Sequence, residues 1–200
     1  MKRQRQTRDW DSSLANEKSI ILSVTGMPGS GKDEFIKVAK NFGFYDYHMG
    51  NTVRNYAMTN KIVLSDSEIG KFASGEREKH GMDIWARRTY DMISHHRLVV
   101  IDGIRNYEEV EYFATNMTNF SIVAIFANRF TRLQRILKRN RPDDIQNMEG
   151  LIARDNRELT WGIGKVIALS DYMIVNDATL EDFREKSSNL IRVITVKGEY

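Results

Sequence analysis

The chain has 200 residues, of which 41% are hydrophobic, and this suits one compact domain with a sizeable core. It contains no cysteine, so disulfides and thiolate metal or redox chemistry are excluded. The net charge of +3 is too small to indicate nucleic-acid binding by itself. No apolar stretch approaches the ~20 residues of a membrane-spanning helix. The first residues lack the apolar core of a signal peptide, so the sequence predicts a cytoplasmic protein.

Residues 1–18 differ in charge from the rest of the chain. Met1–Arg8 contains four basic residues and no acidic residue, and acidic residues follow at Asp9, Asp11 and Glu17. Basic segments of this kind contact RNA in some proteins. Here the lack of apolar periodicity favours a flexible, solvated tail, with residues 19–200 forming the folded domain.

After this tail, apolar strands alternate with amphipathic helices, which indicates an α/β fold with a parallel sheet. Five strands are predicted, at residues 19–25, 44–48, 98–102, 120–126 and 171–175. Helices are predicted over about 32–41, over 52–58, from a capping box at Ser65–Glu68, and over 82–95. Ligands of such sheets lie at the carboxyl ends of the strands.

The first strand runs directly into Gly26-Met27-Pro28-Gly29-Ser30-Gly31-Lys32-Asp33, which contains the G-x-x-x-x-G-K pattern of a phosphate-binding loop. Glycines let successive backbone N–H groups face one phosphate group. The N-terminus of the following helix adds partial positive charge, and Lys32 adds a full charge. The pattern therefore predicts a binding site for the phosphates of ATP.

Asp33 departs from the usual pattern, in which a Ser or Thr hydroxyl after the lysine ligates Mg²⁺. Two roles fit a carboxylate at this position. It reaches Mg²⁺ directly or through water, or it only caps the helix N-terminus, which is the role we favour.

Asp102 follows the apolar run Leu98–Ile101, where an acid in phosphate-loop proteins holds the Mg²⁺ shell, usually through water. Beyond it, Gly103 permits close approach, and Arg105 is placed to direct two N–H donors at a second phosphate. Another strand end shows the same arrangement, with a helix-opening glycine and an arginine one turn later: Gly50 and Arg54. These features predict a second, anionic substrate, the phosphoryl acceptor.

Residues 129–158 are rich in arginine and lysine, and we expect them to form a basic cover over the nucleotide. The predicted helix places a basic face outward, formed by Arg132, Arg135 and Arg139. Its apolar face toward the core is formed by Leu133, Ile136 and Leu137. Because positioned positive charge supplies most of the catalysis in phosphoryl transfer, we predict catalytic roles for Arg139, Arg141 and Arg154. The histidines lack metal-ligand spacing, and no catalytic role is predicted for them.

Together these segments resemble the nucleoside monophosphate kinases. Gly26–Lys32 is similar to the adenylate kinase phosphate loop, and Met49–Arg54 resembles the start of the monophosphate-binding helix. Asp102–Arg105 resembles the D-G-x-x-R segment, and Arg141–Asp144 resembles the R-x-D-D element that closes the lid. Residues 168–182 are similar to dephospho-coenzyme A kinases. The overall resemblance is to adenylate-kinase-related, dephospho-coenzyme-A-kinase-like ATP-binding proteins.

The resemblance implies a three-layer P-loop NTPase fold with a five-stranded parallel sheet, acceptor-binding helices at about 50–95 and a lid at about 129–158. That lid is short, because only Asn140 separates Arg139 from Arg141. The implied activity is an Mg²⁺-dependent, ATP-using kinase whose acceptor is a nucleoside monophosphate, with dephospho-coenzyme A as the next choice. A rival function is an ATPase switch or assembly factor that acts on a protein or RNA partner through the basic tail.

Overall fold

The computed structural model describes residues 19–94, 96–139 and 145–198. Its centre is one parallel sheet of five strands: β1 (Ile20–Thr25), β2 (Tyr45–His48), β3 (Leu98–Asp102), β4 (Phe120–Phe126) and β5 (Tyr172–Val175). Their spatial order in the sheet is β2-β3-β1-β4-β5. The five predicted strands are therefore confirmed to within one residue at each end.

The helices lie between and after the strands: α1 (Lys32–Asn41), α2 (Met49–Thr59), α3 (Asp66–His80), α4 (Ile84–Tyr90), α5 (Tyr107–Asn116), α6 (Arg129–Arg139), α7 (Met148–Trp161), α8 (Ile163–Ala168) and α9 (Leu180–Gly198). Among the described residues, no helix has the length and apolar character needed to cross a bilayer. The predicted tail, residues 1–18, lies outside the described residues.

Helices cover both faces of the sheet, which is why the central strands are apolar on both sides. One face packs against α1 and α9, with Phe35 and Phe183 fully buried in that core. The other face packs against α2, α5 and α8, with Trp85 of α4 and Phe113 of α5 fully buried. The predicted three-layer α/β fold is confirmed.

The boundaries of α3 and α4 show what local sequence decides. The hydroxyl oxygen of Ser65 accepts the backbone N–H of Glu68 at 3.3 Å, which confirms the predicted capping box. The helix predicted over 82–95 is shorter, from Ile84 to Tyr90. After Tyr90 the backbone turns, since the N–H groups of Met92 and Ile93 bond to carbonyls only three residues back.

The packing of α6 corrects the prediction for two of its residues. Arg132 is not on an outward basic face: it is buried and donates to both carboxylate oxygens of Asp155 on α7, at 2.8 and 2.7 Å. It also donates to the carbonyl oxygen of Pro28 at 3.1 Å. Leu137 is exposed instead of facing the core. The side of α6 that faces the loop and α7 is thus partly ionic, and its spacing alone did not show this.

The Arg132–Asp155 pair should be important for stability. Replacing Asp155 by Ala leaves buried Arg132 without its carboxylate, and a lost partner in such a pair costs about 3–5 kcal/mol. We expect urea unfolding to show a loss of this size for Asp155→Ala. The control Glu111→Ala removes an exposed carboxylate from α5 and should change the free energy of unfolding by less than about 0.5 kcal/mol. Equal effects of the two variants would contradict the proposed importance of the pair.

Candidate functional site

Three strand ends meet at one edge of the sheet. Asp102, the last residue of β3, lies opposite Val24 of β1 and His48 of β2. The segments that follow these strands therefore line one cavity of about 660 Å³. The predicted site residues that line it are Pro28, Gly29, Gly31, Lys32, Asp33, Gly50, Arg54, Asp102, Gly103, Arg105, Arg139 and Arg154. Gly26, Met27 and Ser30 belong to the same loop, and Arg141 lies outside the described residues.

Tight packing around the phosphate loop explains its glycines. Gly31 precedes α1 with φ 115°, and a Cβ added there would lie 2.3 Å from Nδ2 of Asn176. At Gly29, with φ 80°, an added Cβ would lie 2.8 Å from the carbonyl oxygen of Arg132. Any side chain would therefore meet both an unfavourable backbone conformation and neighbouring atoms. The loop has the fixed, compact form that a ring of backbone donors requires.

Lys32 folds back over this loop. Its Nζ donates to the carbonyl oxygen of Gly26 at 2.8 Å and to that of Met27 at 3.5 Å. Burial lowers the pKa of Lys32, while the nearby charge of Asp102 acts in the opposite direction. The ammonium group of Lys32 thus lies between the phosphate loop and the carboxylate of Asp102. A bound phosphate can replace the carbonyl oxygens as its hydrogen-bond acceptor.

Asn176, at the end of the edge strand β5, holds the phosphate loop in place. It directly follows β5, it is buried, and its Nδ2 donates to the carbonyl oxygen of Ser30 at 2.8 Å. Its Oδ1 accepts a hydrogen bond from Nη2 of Arg135 at 3.1 Å, and Nη1 of Arg135 lies 3.4 Å from the same Ser30 oxygen. These contacts connect β5, α6 and the loop at a single carbonyl group.

Asp33 lies in the first turn of α1 and is exposed on the cavity. The residue at the N-cap position is Gly31, and no side-chain hydrogen bond caps the helix there. A carboxylate in the first turn interacts favourably with the helix dipole. The predicted capping role is wrong, because the capping position of α1 is occupied by Gly31. The role of Asp33 as an Mg²⁺ ligand stays a prediction.

Asp102 is held by His48 at the end of β2. Nδ1 of His48 lies 3.4 Å from Oδ2 of Asp102, and its Nε2 lies 3.0 Å from Oδ2 of Asp46. Burial acts to raise the pKa of Asp102, but the hydrogen bond with His48 and the charges of Lys32 and Arg105 outweigh it and lower the pKa. The hydrogen bond with Asp102 raises the pKa of His48 against the effect of burial.

The second oxygen of Asp102 fits a cation. Oδ1 is buried and has no hydrogen-bond partner among the described residues. Within the same part of the chain, no three His, Asp or Glu side chains form a metal site by themselves. Mg²⁺ in nucleotide sites takes few protein ligands and completes its shell with water and phosphate oxygens. A single carboxylate facing Lys32 is sufficient for that kind of binding.

Arg105, predicted to bind the acceptor, and Arg154, predicted to be catalytic, both line the cavity and share one carboxylate. Nη1 of Arg105 donates to Oε2 of Glu158, and Nε of Arg154 lies 3.8 Å from Oε1 of the same carboxylate. Burial acts to lower the pKa of Arg105, but Glu158, Asp102 and Glu109 raise it. Arg105 thus stays cationic, and Glu158, a carboxylate that the sequence did not predict, joins it to Arg154.

Beyond these arginines, the cavity has an apolar and aromatic wall. Trp85 is fully buried, and Trp161 donates from its indole N–H to the hydroxyl of Ser74 at 3.0 Å. The guanidinium of Arg77 lies 4.9 Å from the ring centre of Trp161. The cavity wall also contains Met49, Val53, Ile69 and Ala73. Among the described residues, ten Lys and Arg side chains line the cavity against five Asp and Glu side chains, which favours an anionic ligand.

Sequence reasoning missed Glu158, His48 and Arg77, and it missed the contact of Asn176 with the loop. His48 and Asn176 end or follow a strand at the carboxyl edge of the sheet, and the same signal identified Asp102. Glu158 follows Arg154 by one helical turn, a spacing that allows an ion pair. Arg77 lies on α3, where polar and apolar residues alternate without a clear pattern, so the sequence carries no comparable signal.

Comparison with known proteins agrees with this geometry. The AAA domain family profile matches residues 22–161. The UPF0200 protein of Thermoplasma volcanium is 64% identical over 171 residues, which are 86% of this chain and 96% of that relative. The chain belongs to the UPF0200 family. The predicted membership of a P-loop family is thereby confirmed.

Solved structures of other proteins share the fold of this UPF0200 family member. Shikimate kinase from Bacteroides thetaiotaomicron has a TM-score of 0.61 at 13% identity, covering 86% of this chain and 98% of that one. A gluconokinase from Sinorhizobium meliloti 1021 has a TM-score of 0.51 at 14% identity, covering 89% and 95%. At such identities the likeness concerns the fold alone, which is that of the P-loop kinases.

The His48–Asp102 contact gives this UPF0200 family member a pH-dependent contribution to stability in magnesium-free buffer. Because folding raises the pKa of His48, its contribution to the free energy of unfolding is fully present below about pH 6.5. That contribution is lost as the pH rises through the folded-state pKa of His48. The lowered pKa of Asp102 keeps its part above about pH 4. Urea unfolding of wild type and His48→Gln should therefore differ most near pH 5 and least near pH 8.5. A difference that does not change with pH would contradict this coupling.

Proposed function

We propose that the protein binds ATP with Mg²⁺ and transfers the γ-phosphoryl group to a small phosphorylated acceptor such as a nucleoside monophosphate. One observation carries this proposal. The same cavity is lined by Lys32 and Asp102 and also by Arg105, Arg154 and Trp161. We call the part around these last three residues the acceptor chamber. A phosphate loop and an anion-binding chamber in one cavity are what transfer between two bound substrates requires.

The ATP side uses groups that already converge. Backbone N–H groups of Gly26–Lys32 and the N-terminus of α1 bind the β- and γ-phosphates, and Lys32 adds a mobile positive charge. Asp102 would hold the Mg²⁺ shell through water, and Asp33 would be a further ligand if it does not act only at the helix end. When bound, Mg²⁺ neutralises charge on the β- and γ-phosphate oxygens.

Transfer breaks the bond between the γ-phosphorus and the bridging oxygen to the β-phosphate, and an acceptor oxygen forms the new bond. Little covalent chemistry falls to the protein, because the negative charge only shifts among oxygens. The positive charge for this step comes from Arg139, Arg141 and Arg154. A single arginine in such a role raises the rate by about 10³-fold or more. Gly50, Arg54, Gly103 and Arg105 position the acceptor.

Two other acceptors are consistent with the cavity. Dephospho-coenzyme A carries phosphates and an adenine, which suit the arginines and Trp161. The structural neighbours are kinases of shikimate and gluconate by name, so hydroxy acids belong in the same comparison. An ATPase switch or assembly factor acting on a protein or RNA partner is the alternative of another class.

One panel assay tests these functions. ADP production from Mg²⁺–ATP is measured alone and with nucleoside monophosphates, dephospho-coenzyme A, shikimate and gluconate, one at a time. We expect at least one phosphorylated acceptor to raise ADP production, with a phosphorylated product in equal amount. Slow hydrolysis that no acceptor changes would contradict the kinase and support the ATPase switch.

Lys32→Ala should reduce turnover by about a hundredfold or more, because it removes the side-chain cation of the loop at the transferred charge. Calorimetry should also show a large loss of ATP affinity. The control Lys71→Ala removes an exposed lysine of α3 and should leave both quantities unchanged. Wild-type affinity and rate in Lys32→Ala would rule out the phosphate-loop assignment.

Asp102→Asn keeps the shape of the side chain and removes its charge. Turnover should fall about tenfold or more, and half-maximal activity should require more Mg²⁺, because the carboxylate no longer holds the metal's water shell. The control Asp91→Asn, at the exposed end of α4, should change neither quantity. Unchanged Mg²⁺ dependence in Asp102→Asn would make this carboxylate structural.

Asp33→Thr should keep its activity if Asp33 acts only at the helix end, and lost turnover with intact ATP binding would identify it as a metal ligand.

A further inference from the structure

The acceptor chamber contains a buried carboxylate, which is unusual for a site that receives a phosphate group. Only 2% of the Glu158 side chain is exposed. Its two oxygens face different arginines, Arg105 in the segment after β3 and Arg154 one turn earlier on α7. Buried charged groups are paired with opposite charges, and these two arginines are the pairing groups of Glu158.

Both arginines remain accessible from the cavity. The side chain of Arg105 is 22% exposed and that of Arg154 is 20% exposed, while the carboxylate between them is almost completely covered. Two guanidinium groups and one carboxylate have a single net positive charge. An incoming anion therefore meets arginines whose attraction Glu158 has already reduced, and it competes with Glu158 for the same donors.

We propose that Glu158 is a stand-in for the anionic group of the acceptor, and that it restricts the chamber to phosphate monoesters. This inference rests on the proposed function. The acceptor takes over the hydrogen bond from Arg105 that Glu158 accepts. A carboxylate or a phosphodiester has one negative charge, so its exchange with Glu158 adds no net attraction. A phosphate monoester has close to two negative charges and three terminal oxygens at neutral pH, so its exchange adds attraction.

Two pairs of probes separate charge from shape. AMP and 3′,5′-cyclic AMP share a base and a ribose, but at pH 8 the first is a dianion and the second a monoanion. Ribose 5-phosphate and gluconate extend the comparison to molecules without a base. Binding is measured by calorimetry with ADP and Mg²⁺ saturating the phosphate loop. We expect wild type to bind each monoester at least about tenfold more tightly than its monoanionic counterpart.

The variant Glu158→Gln keeps the size of the side chain and removes the competing charge. We expect it to bind AMP about tenfold more tightly than wild type and to show measurable affinity for cyclic AMP and gluconate. Glu149→Gln removes an exposed carboxylate from the first turn of the same helix and should match wild type. Unchanged or weaker AMP binding in Glu158→Gln would overturn the inference, because Glu158 would then only position the arginines.

Glu158→Gln also leaves two arginines without a carboxylate, so its thermal unfolding is measured alongside binding. If it does not fold, Glu158→Asp withdraws the carboxylate by one methylene group and should tighten AMP binding by a smaller factor. No tightening in Glu158→Asp would overturn the inference equally. All these readouts are of binding, so they are independent of the acceptor panel. A protein that transfers phosphate but shows none of these changes contradicts this inference alone, whereas a protein without acceptor-dependent turnover contradicts the proposed function.

Discussion

A phosphate loop can direct its N–H groups at a ligand only if its carbonyl groups point elsewhere and find partners there. For three of these carbonyl groups the partners are side chains. Arg132 bonds to the carbonyl of Pro28, Asn176 bonds to that of Ser30, and Lys32 bonds to that of Gly26. The geometry of the loop therefore depends on α6 and on the end of β5 as much as on its own glycines. Asp155, which holds Arg132, belongs to the loop's support although it is not in the cavity.

The distribution of charge in the cavity follows a related constraint. Many cations around one cavity repel each other, and each loses hydration as it is buried. Glu158, Glu109 and Asp102 each offset part of that cost by pairing with cations. Glu109 is itself fully buried, accepts from Nη2 of Arg77 at 2.9 Å and accepts the backbone N–H of Arg105 at 2.7 Å. Burial raises the pKa of Glu109 even beside Arg77. Carboxylates in and next to this cavity thus keep its arginines in place.

The sequence predicted the sheet, its strands and the phosphate loop because these depend on local patterns. Apolar runs mark buried strands, and a glycine-rich turn before a helix marks the loop. It did not predict that Arg132 is buried, since helical spacing defines a face of α6 but not the partner on that face. Asp155 lies 23 residues further along the chain, and nothing in either segment indicates their pairing. The same reason applies to Glu158 and Arg105, which are 53 residues apart.

The hydrogen bond from Asn176 to Ser30 joins residues 146 positions apart. A ribosome makes the chain from its N-terminus at about 5–20 residues per second, so the segment that contains the loop emerges well before the strand that fixes it. Until β5 is added at the edge of the sheet, the carbonyl of Ser30 lacks the amide that orients it. The nascent chain therefore acquires its nucleotide site only near the end of synthesis. An almost complete chain without β5 would contain every residue of the phosphate loop and yet lack its working shape.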